Sequence, residues 1–124
     1  RMTDHFKTVQ KTLVADGAAP KNWKLLSISF DPGFDTPGTL RAYGKARNYD
    51  PEKWSLLTGD LGQIAPLCQH FGLYFSRTSQ PAAQNHNLRT VVIDPAGKVQ
   101  KIFVGNEWTP EELVAEIRAA AVKR

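Results

Sequence analysis

The residues that could do chemistry are few. The sequence holds three histidines, His5, His70 and His86, and one cysteine, Cys68. Imidazole binds metals and moves protons near neutral pH, so each histidine is a candidate until its surroundings are considered. His86 has the most suggestive position, two residues before a β-branched run, where a loop would deliver it to one end of a sheet. A single histidine in such a loop is commonly just solvated. His5 borders the apolar stripe of a predicted helix and reads as a boundary residue. His70 falls on the polar side of another and reads as solvated. Cys68 falls on that second helix's apolar stripe, so it reads as a buried, inert thiol. One cysteine can form neither an internal disulfide nor a cysteine-based zinc site, and it does not fix the compartment. No catalytic or cofactor-binding residue is assigned.

The element that must position His86 is the stretch that follows it. Leu88 to Ile93 and Val99 to Val104 flank Asp94-Pro95-Ala96-Gly97. Pro95 presets φ for the first corner of a type I turn, and Gly97 takes the left-handed residue that commonly follows in a hairpin. The Asp94 side chain can bond backbone amides inside the turn. Residues 76–87 before it are polar and read as a loop, in which Asn85 and Asn87 offer His86 neutral polar neighbours.

Composition fixes the broad class. At 124 residues the chain reads as one domain, with ordinary apolar (41%) and charged (23%) content. No apolar run approaches the roughly 20 residues that span a bilayer, and no signal peptide is seen. The chain opens at Arg1 and reads as part of something longer. Its net charge of +4 comes from 16 basic and 12 acidic side chains. The basic ones are scattered and lack interleaved aromatics that could stack bases, so no nucleic-acid partner is expected.

In chain order the pattern predicts helices near 2–14, 37–47, 61–71 and 110–122. Strands are expected near 25–30, 55–58, 88–94 and 99–104. Met2, Phe6, Val9 and Leu13 form the stripe of the first helix. Leu25 to Phe30 is nearly continuous in apolar or small residues, as in a strand covered on both faces. Thr36 can cap a helix that begins at Pro37 and buries Leu40, Tyr43 and Ala46 or Ala42. The third helix has Leu61, Ile64, Ala65, Cys68 and Phe71 on one face, with Pro66 inside it as a source of shortening or kinking. Thr109 and Glu112 have capping-box spacing ahead of a last helix that buries Leu113, Val114, Ile117 and Ala121, and Trp108 and Leu113 are placed as its hydrophobic staple. Helices alternating with short strands argue for an α/β fold: a mostly parallel sheet with helices on both faces and a closing antiparallel hairpin.

Several stretches together resemble the Sco/SenC family. Ser29-Phe30-Asp31-Pro32, with Asp35-Thr36-Pro37 beyond, is similar to its SxDPxxDTP signature. Leu57-Thr58-Gly59 looks like its central segment, and His86 lies eight residues before the Asp94-Pro95-x-Gly97 turn, as its histidine does. The resemblance covers essentially the whole chain and implies a thioredoxin-like domain, membrane-anchored and periplasmic in bacteria. Such proteins carry copper to the copper-bearing subunit of cytochrome c oxidase, or keep its ligand cysteines reduced. Their copper site joins the two cysteines of a Cys-x-x-x-Cys motif to one histidine, whose position His86 matches. The cysteine pair would precede Arg1, and Cys68 matches neither member.

The resemblance thus implies copper as the metal, His86 as one ligand, and copper or thiol-redox proteins as partners. Thiolates favour Cu(I) and imidazole serves both oxidation states, whereas one histidine alone offers too few donors for a tight site. The alternatives are a thiol–disulfide oxidoreductase using the same cysteines and a protein-docking domain without chemistry. The resemblance also implies that the central strand of the sheet lies outside this chain, between the strands at 25–30 and 88–94. Those two should therefore not pair, and the full polypeptide or another chain would fill the gap.

Overall fold

The computed structural model describes residues 2–29, 33–72, 75–76, 85–86, 89–105 and 107–123. The elements are α1 (Met2–Ala15), β1 (Leu25–Ile28), α2 (Pro37–Ala46), β2 (Trp54–Leu57), α3 (Leu61–His70), β3 (Phe75–Ser76), β4 (Asn85–His86), β5 (Arg89–Ile93), β6 (Val99–Val104) and α4 (Pro110–Ala121). β1 pairs in parallel with β2, while β3–β4 and β5–β6 are antiparallel. This is an α/β fold with a two-stranded parallel sheet, an antiparallel hairpin and four helices among the described residues. Among the described residues β1 and β5 do not pair, as expected.

One apolar cluster joins the parallel sheet, the hairpin, α1 and α4. Val9 and Leu13 of α1, Leu25 and Trp54 of the parallel pair, Val92 and Phe103 of the hairpin and Leu113 of α4 are all buried in it. α4 starts as its sequence dictates. Thr109 accepts from the Glu112 amide at 3.2 Å and Glu112 returns a bond to the Thr109 amide at 2.9 Å, which completes the capping box. Trp108 is buried before it, donates through Nε1 to the Gly105 carbonyl, and packs its ring on Phe103 at 5.5 Å. Arg118 of α4 pairs with Asp16 just after α1. The Ala18 amide and the Arg118 guanidinium hold the Asp16 carboxyl below its usual value. That contribution is present above the unfolded-state pKa and is lost as pH falls through the lower folded one.

The hairpin turn forms through its aspartate. Asp94 Oδ1 accepts from the Ala96 and Lys98 amides at 3.0 and 2.9 Å, and Gly97 sits at φ 83°. The register steps from Val92↔Lys101 to Ile93↔Val99, so Gln100 is an extra residue on β6, a bulge.

Four expectations change. β1 is covered on one face rather than two: Leu25 is buried, but Leu26 and Ile28 are 53% and 45% exposed. No described helix lies close enough over that face to bury them. Residues 76–87 are not all loop, because Phe75↔His86 and Ser76↔Asn85 form a short ladder carried by main-chain bonds. α3 runs unbroken through Pro66 and buries Ile64 and Cys68, while Leu61 and Ala65 stay exposed. Finally, α2 buries Gly44 rather than Tyr43, Ala42 or Ala46.

Tyr49 explains the last of these. A Cβ at Gly44 would lie 2.6 Å from two Tyr49 ring carbons, so the helix meets the ring through bare backbone. Tyr43 instead turns outward, donating to Thr3 Oγ1 at 2.8 Å under the Arg47 guanidinium. Tyr49 cannot easily yield. It packs on Trp54, and buried Gln10 ties down its two neighbours, donating to the Asn48 carbonyl and accepting from the Asp50 amide. Gly44→Ala gains up to about 1 kcal/mol of helix propensity, whereas overpacking costs typically about 1–3. Net destabilisation is expected, measured as a lower urea midpoint, while Gly38→Ala on the same helix, with open space at its Cβ, should not lose stability.

Candidate functional site

The site is built around the end of the fold that carries His86. Its backbone lies in β4, paired with Phe75, and only Asn87 and Leu88 separate it from β5. The main chain at His86 is therefore held from two directions, by a ladder partner on one side and by the hairpin that follows. That is firmer than the loop expected from sequence. The His86 side chain, expected from the family's site to be at least partly exposed and to point toward the N-terminal end of the first helix, with Asn85 and Asn87 as polar neighbours, lies outside the described residues.

The segment after β1 is organised by hydrogen bonds of its own. Ser29 Oγ donates to Asp35 Oδ2 at 2.6 Å, which closes the chain between the strand and α2. Thr36 then caps α2, accepting from the Thr39 amide at 3.2 Å, with Pro37 as the first helical residue. Four positions of the SxDPxxDTP-like stretch, Ser29, Asp35, Thr36 and Pro37, thus have a structural role. Residues 30–32 lie outside the described set. Just after β2, the hydroxyl of Thr58 is buried with no hydrogen-bond partner among the described residues.

The other candidates settle as expected from sequence. His5 is half-buried, its ring edge-on to Trp108 at 4.8 Å. His70 is exposed and touches Phe71. Cys68 is a buried free thiol, and burial raises its pKa. A neutral buried thiol is a poor metal ligand and a poor nucleophile, since both roles need the thiolate. Among the described residues no group of three or more His, Cys, Asp or Glu side chains could hold a metal. Among the described residues the side chains of His5, His70 and Cys68 do not make a copper site.

The SCO1/SenC family matches residues 1–122. The chain belongs to the SCO1/SenC family. A SCO1 protein homolog of Bacillus subtilis (strain 168) is 25% identical over 126 residues, covering 97% of this chain and 62% of the relative. This Sco chain thus spans under two-thirds of the length of that curated relative. Among solved structures, a SCO1/SenC lipoprotein from Bacillus anthracis superposes with a TM-score of 0.80 at 25% identity, over 96% of this chain and 70% of that one. BsSco, a member of the Sco family of cytochrome c oxidase assembly proteins with a disulfide switch, gives 0.75 at 26% identity, over 96% and 69%. The copper-bound ScoI of Bradyrhizobium japonicum shares the fold, with a TM-score of 0.72 at 24% identity over 94% and 72%.

Membership in the Sco family accounts for the signature at the start of α2 as well as for the hairpin. Two features of the Sco chain were not read from sequence: the β3–β4 ladder that pairs the His86 backbone and, among the described residues, the buried Thr58 hydroxyl without a partner. Phe-Ser and Asn-His dipeptides are too short for a period-two signal, and nothing in the sequence marks which threonine loses its partner.

Proposed function

We propose that this Sco chain is the copper-handling portion of a cytochrome c oxidase assembly factor, with His86 as one copper ligand. Residues 1–124 act as one thioredoxin-like domain of a polypeptide anchored on the periplasmic side of the membrane. Among the described residues no helix is long and apolar enough to cross a bilayer. The observation that carries the reading is the SCO1/SenC match over residues 1–122 together with the anchored position of His86 just ahead of the hairpin. A copper-bound family structure with the same fold supports it.

Copper is cargo here, passed to the copper-bearing subunit of the oxidase. The soft donors come from the family's cysteine pair, outside residues 1–124, and His86 adds a nitrogen donor that serves both oxidation states. Cys68 takes no part, because it is buried and protonated.

A second reading has its own support, since BsSco carries a disulfide switch. In it the same cysteine pair reduces the oxidase's ligand thiols by thiol–disulfide exchange, as their thiolate fraction and access allow. Copper titration of a polypeptide carrying the pair, before and after its oxidation, separates the two. Stoichiometric copper that disappears when both cysteines become serine supports copper delivery. Reduction of a disulfide-bonded oxidase peptide without any copper uptake supports the redox reading. If neither occurs, a docking role remains.

A further inference from the structure

The ladder that carries His86 is too short to hold itself. Among the described residues β3 and β4 pair only with each other, through Phe75↔His86 and Ser76↔Asn85. An isolated two-stranded hairpin is marginal at best in water. A pairing this short therefore draws its stability from what flanks it.

The same two segments meet again three residues beyond the Phe75↔His86 pair, where Gly72 lies against Arg89. A Cβ on Gly72 would come within 3.5 Å of Arg89 Nη2, 3.6 Å of Nε and 3.9 Å of Cζ, so the guanidinium rests on bare backbone. This contact is a second rung between the segments that the ladder joins. Only residues 73 and 74 on one side, and Asn87 and Leu88 on the other, separate the two rungs.

Both ends of the second rung are fixed. The Phe71 amide bonds the Leu67 and Cys68 carbonyls at the end of α3, and the Gly72 amide bonds the Gln69 carbonyl at 3.1 Å. Gly72 itself sits at φ 73°, the left-handed conformation that commonly ends a helix and favours glycine. On the other side Arg89 opens β5 opposite Val104, and the next residue, Thr90, is buried opposite Phe103. Arg89 is half-buried, with its charge just past the C-terminal end of α3, where the helix dipole favours a cation.

We propose that Arg89 is a positioning residue for His86. Its guanidinium ties the start of β5 to the end of α3, and so fixes where the His86 main chain sits between them. This role rests on the reading of His86 as a copper ligand and gives Arg89 no contact with copper. Lysine at this position would keep the charge but lose the flat, branched group that covers Gly72. Methionine would keep an apolar stem and lose both.

The test is copper binding by a polypeptide that carries the family's cysteine pair, comparing the parent with Arg89→Met, Arg89→Lys, His86→Ala and the double variant of His86→Ala with Arg89→Met. Arg89→Met should weaken Cu(II) about tenfold, the low end for losing a residue outside the ligand set, and should shift its visible absorption. Cu(I), held by the thiolates, should change by less than about twofold. A general loss of stability would weaken both states alike. Arg89→Lys should weaken Cu(II) by about threefold, between parent and Arg89→Met. The double variant should bind Cu(II) no more weakly than His86→Ala alone, because without the imidazole nothing remains to be positioned. Parent-like Cu(II) binding by Arg89→Met, or by Arg89→Lys where Arg89→Met does not fold, overturns this role for Arg89. So do equal losses of Cu(I) and Cu(II), or losses that add in the double variant, while His86→Ala still loses Cu(II). If His86→Ala binds Cu(II) as the parent does, the copper reading of His86 falls and the role of Arg89 falls with it.

Discussion

In a polypeptide that carries the family's cysteine pair, His86→Ala is expected to lose Cu(II) while retaining part of its Cu(I). Removing the imidazole leaves two thiolates. Those suffice for a two-coordinate soft site, but the higher oxidation state depends more on nitrogen donors. Altering an outer-shell partner of a metal site typically costs about 10–100-fold in affinity. Deleting a ligand should cost Cu(II) at least that much. The β3–β4 ladder sharpens the expectation, because a ligand on backbone held by Phe75 and followed by a rigid hairpin has little freedom to be replaced by a neighbour. Cys68→Ser is the control. Its thiol is buried on α3 and protonated, so copper stoichiometry should not change, and any loss should be in stability. Copper content and visible absorption of both variants beside the parent decide the matter. Equal retention by parent and His86→Ala in both oxidation states would remove His86 from the site.

Sequence patterns located the elements wherever local chemistry and tertiary packing agree. The hairpin followed from Pro95, Gly97 and two β-branched runs, and α4 from Thr109, Pro110 and Glu112, because each of these features acts within a few residues. Leu88 and Phe30, assigned to strand ends, lie outside the described residues. What sequence did not reveal depends on distant partners. Gly44 is buried because a ring five residues on lies where its side chain would be, and Gln10 because it spans to a turn 38 to 40 residues away. β1 reads as a doubly covered strand because Leu26, Ile28 and Phe30 are apolar. Whether anything covers that face depends on elements that residues 25–30 do not themselves encode. The candidate site divides in the same way. The spacing of His86 from the turn was plain from sequence, but the two-residue ladder that holds it has no period to detect.

Trp54→Ala is expected to destabilise the fold by about 3–5 kcal/mol, the range for truncating a buried aromatic. Trp54 is 1% exposed and is one of the two largest fully buried side chains. Its ring meets Phe6 at 5.8 Å and Tyr49 at 6.3 Å, so it links α1 to the turn that Gln10 holds, and its Nε1 donates to Ser27 on β1 at 3.0 Å. Truncation opens a cavity at the junction of three elements, leaves the half-buried Ser27 hydroxyl without that donor, and frees Tyr49 to move into the vacated space, away from Gly44. Domains of this size are stable by only about 5–15 kcal/mol, so the loss takes much of the total. Trp54→Phe keeps most of the volume and loses the indole bond, so a smaller loss of roughly 1–2 kcal/mol is expected. The pair is informative together with Gly44. Once Trp54 is truncated, Tyr49 has room to yield, so Gly44→Ala should cost less in the Trp54→Ala background than alone. Urea unfolding of the two single variants and the double beside the parent measures that coupling. Strict additivity would show that Tyr49 does not transmit strain between Gly44 and Trp54.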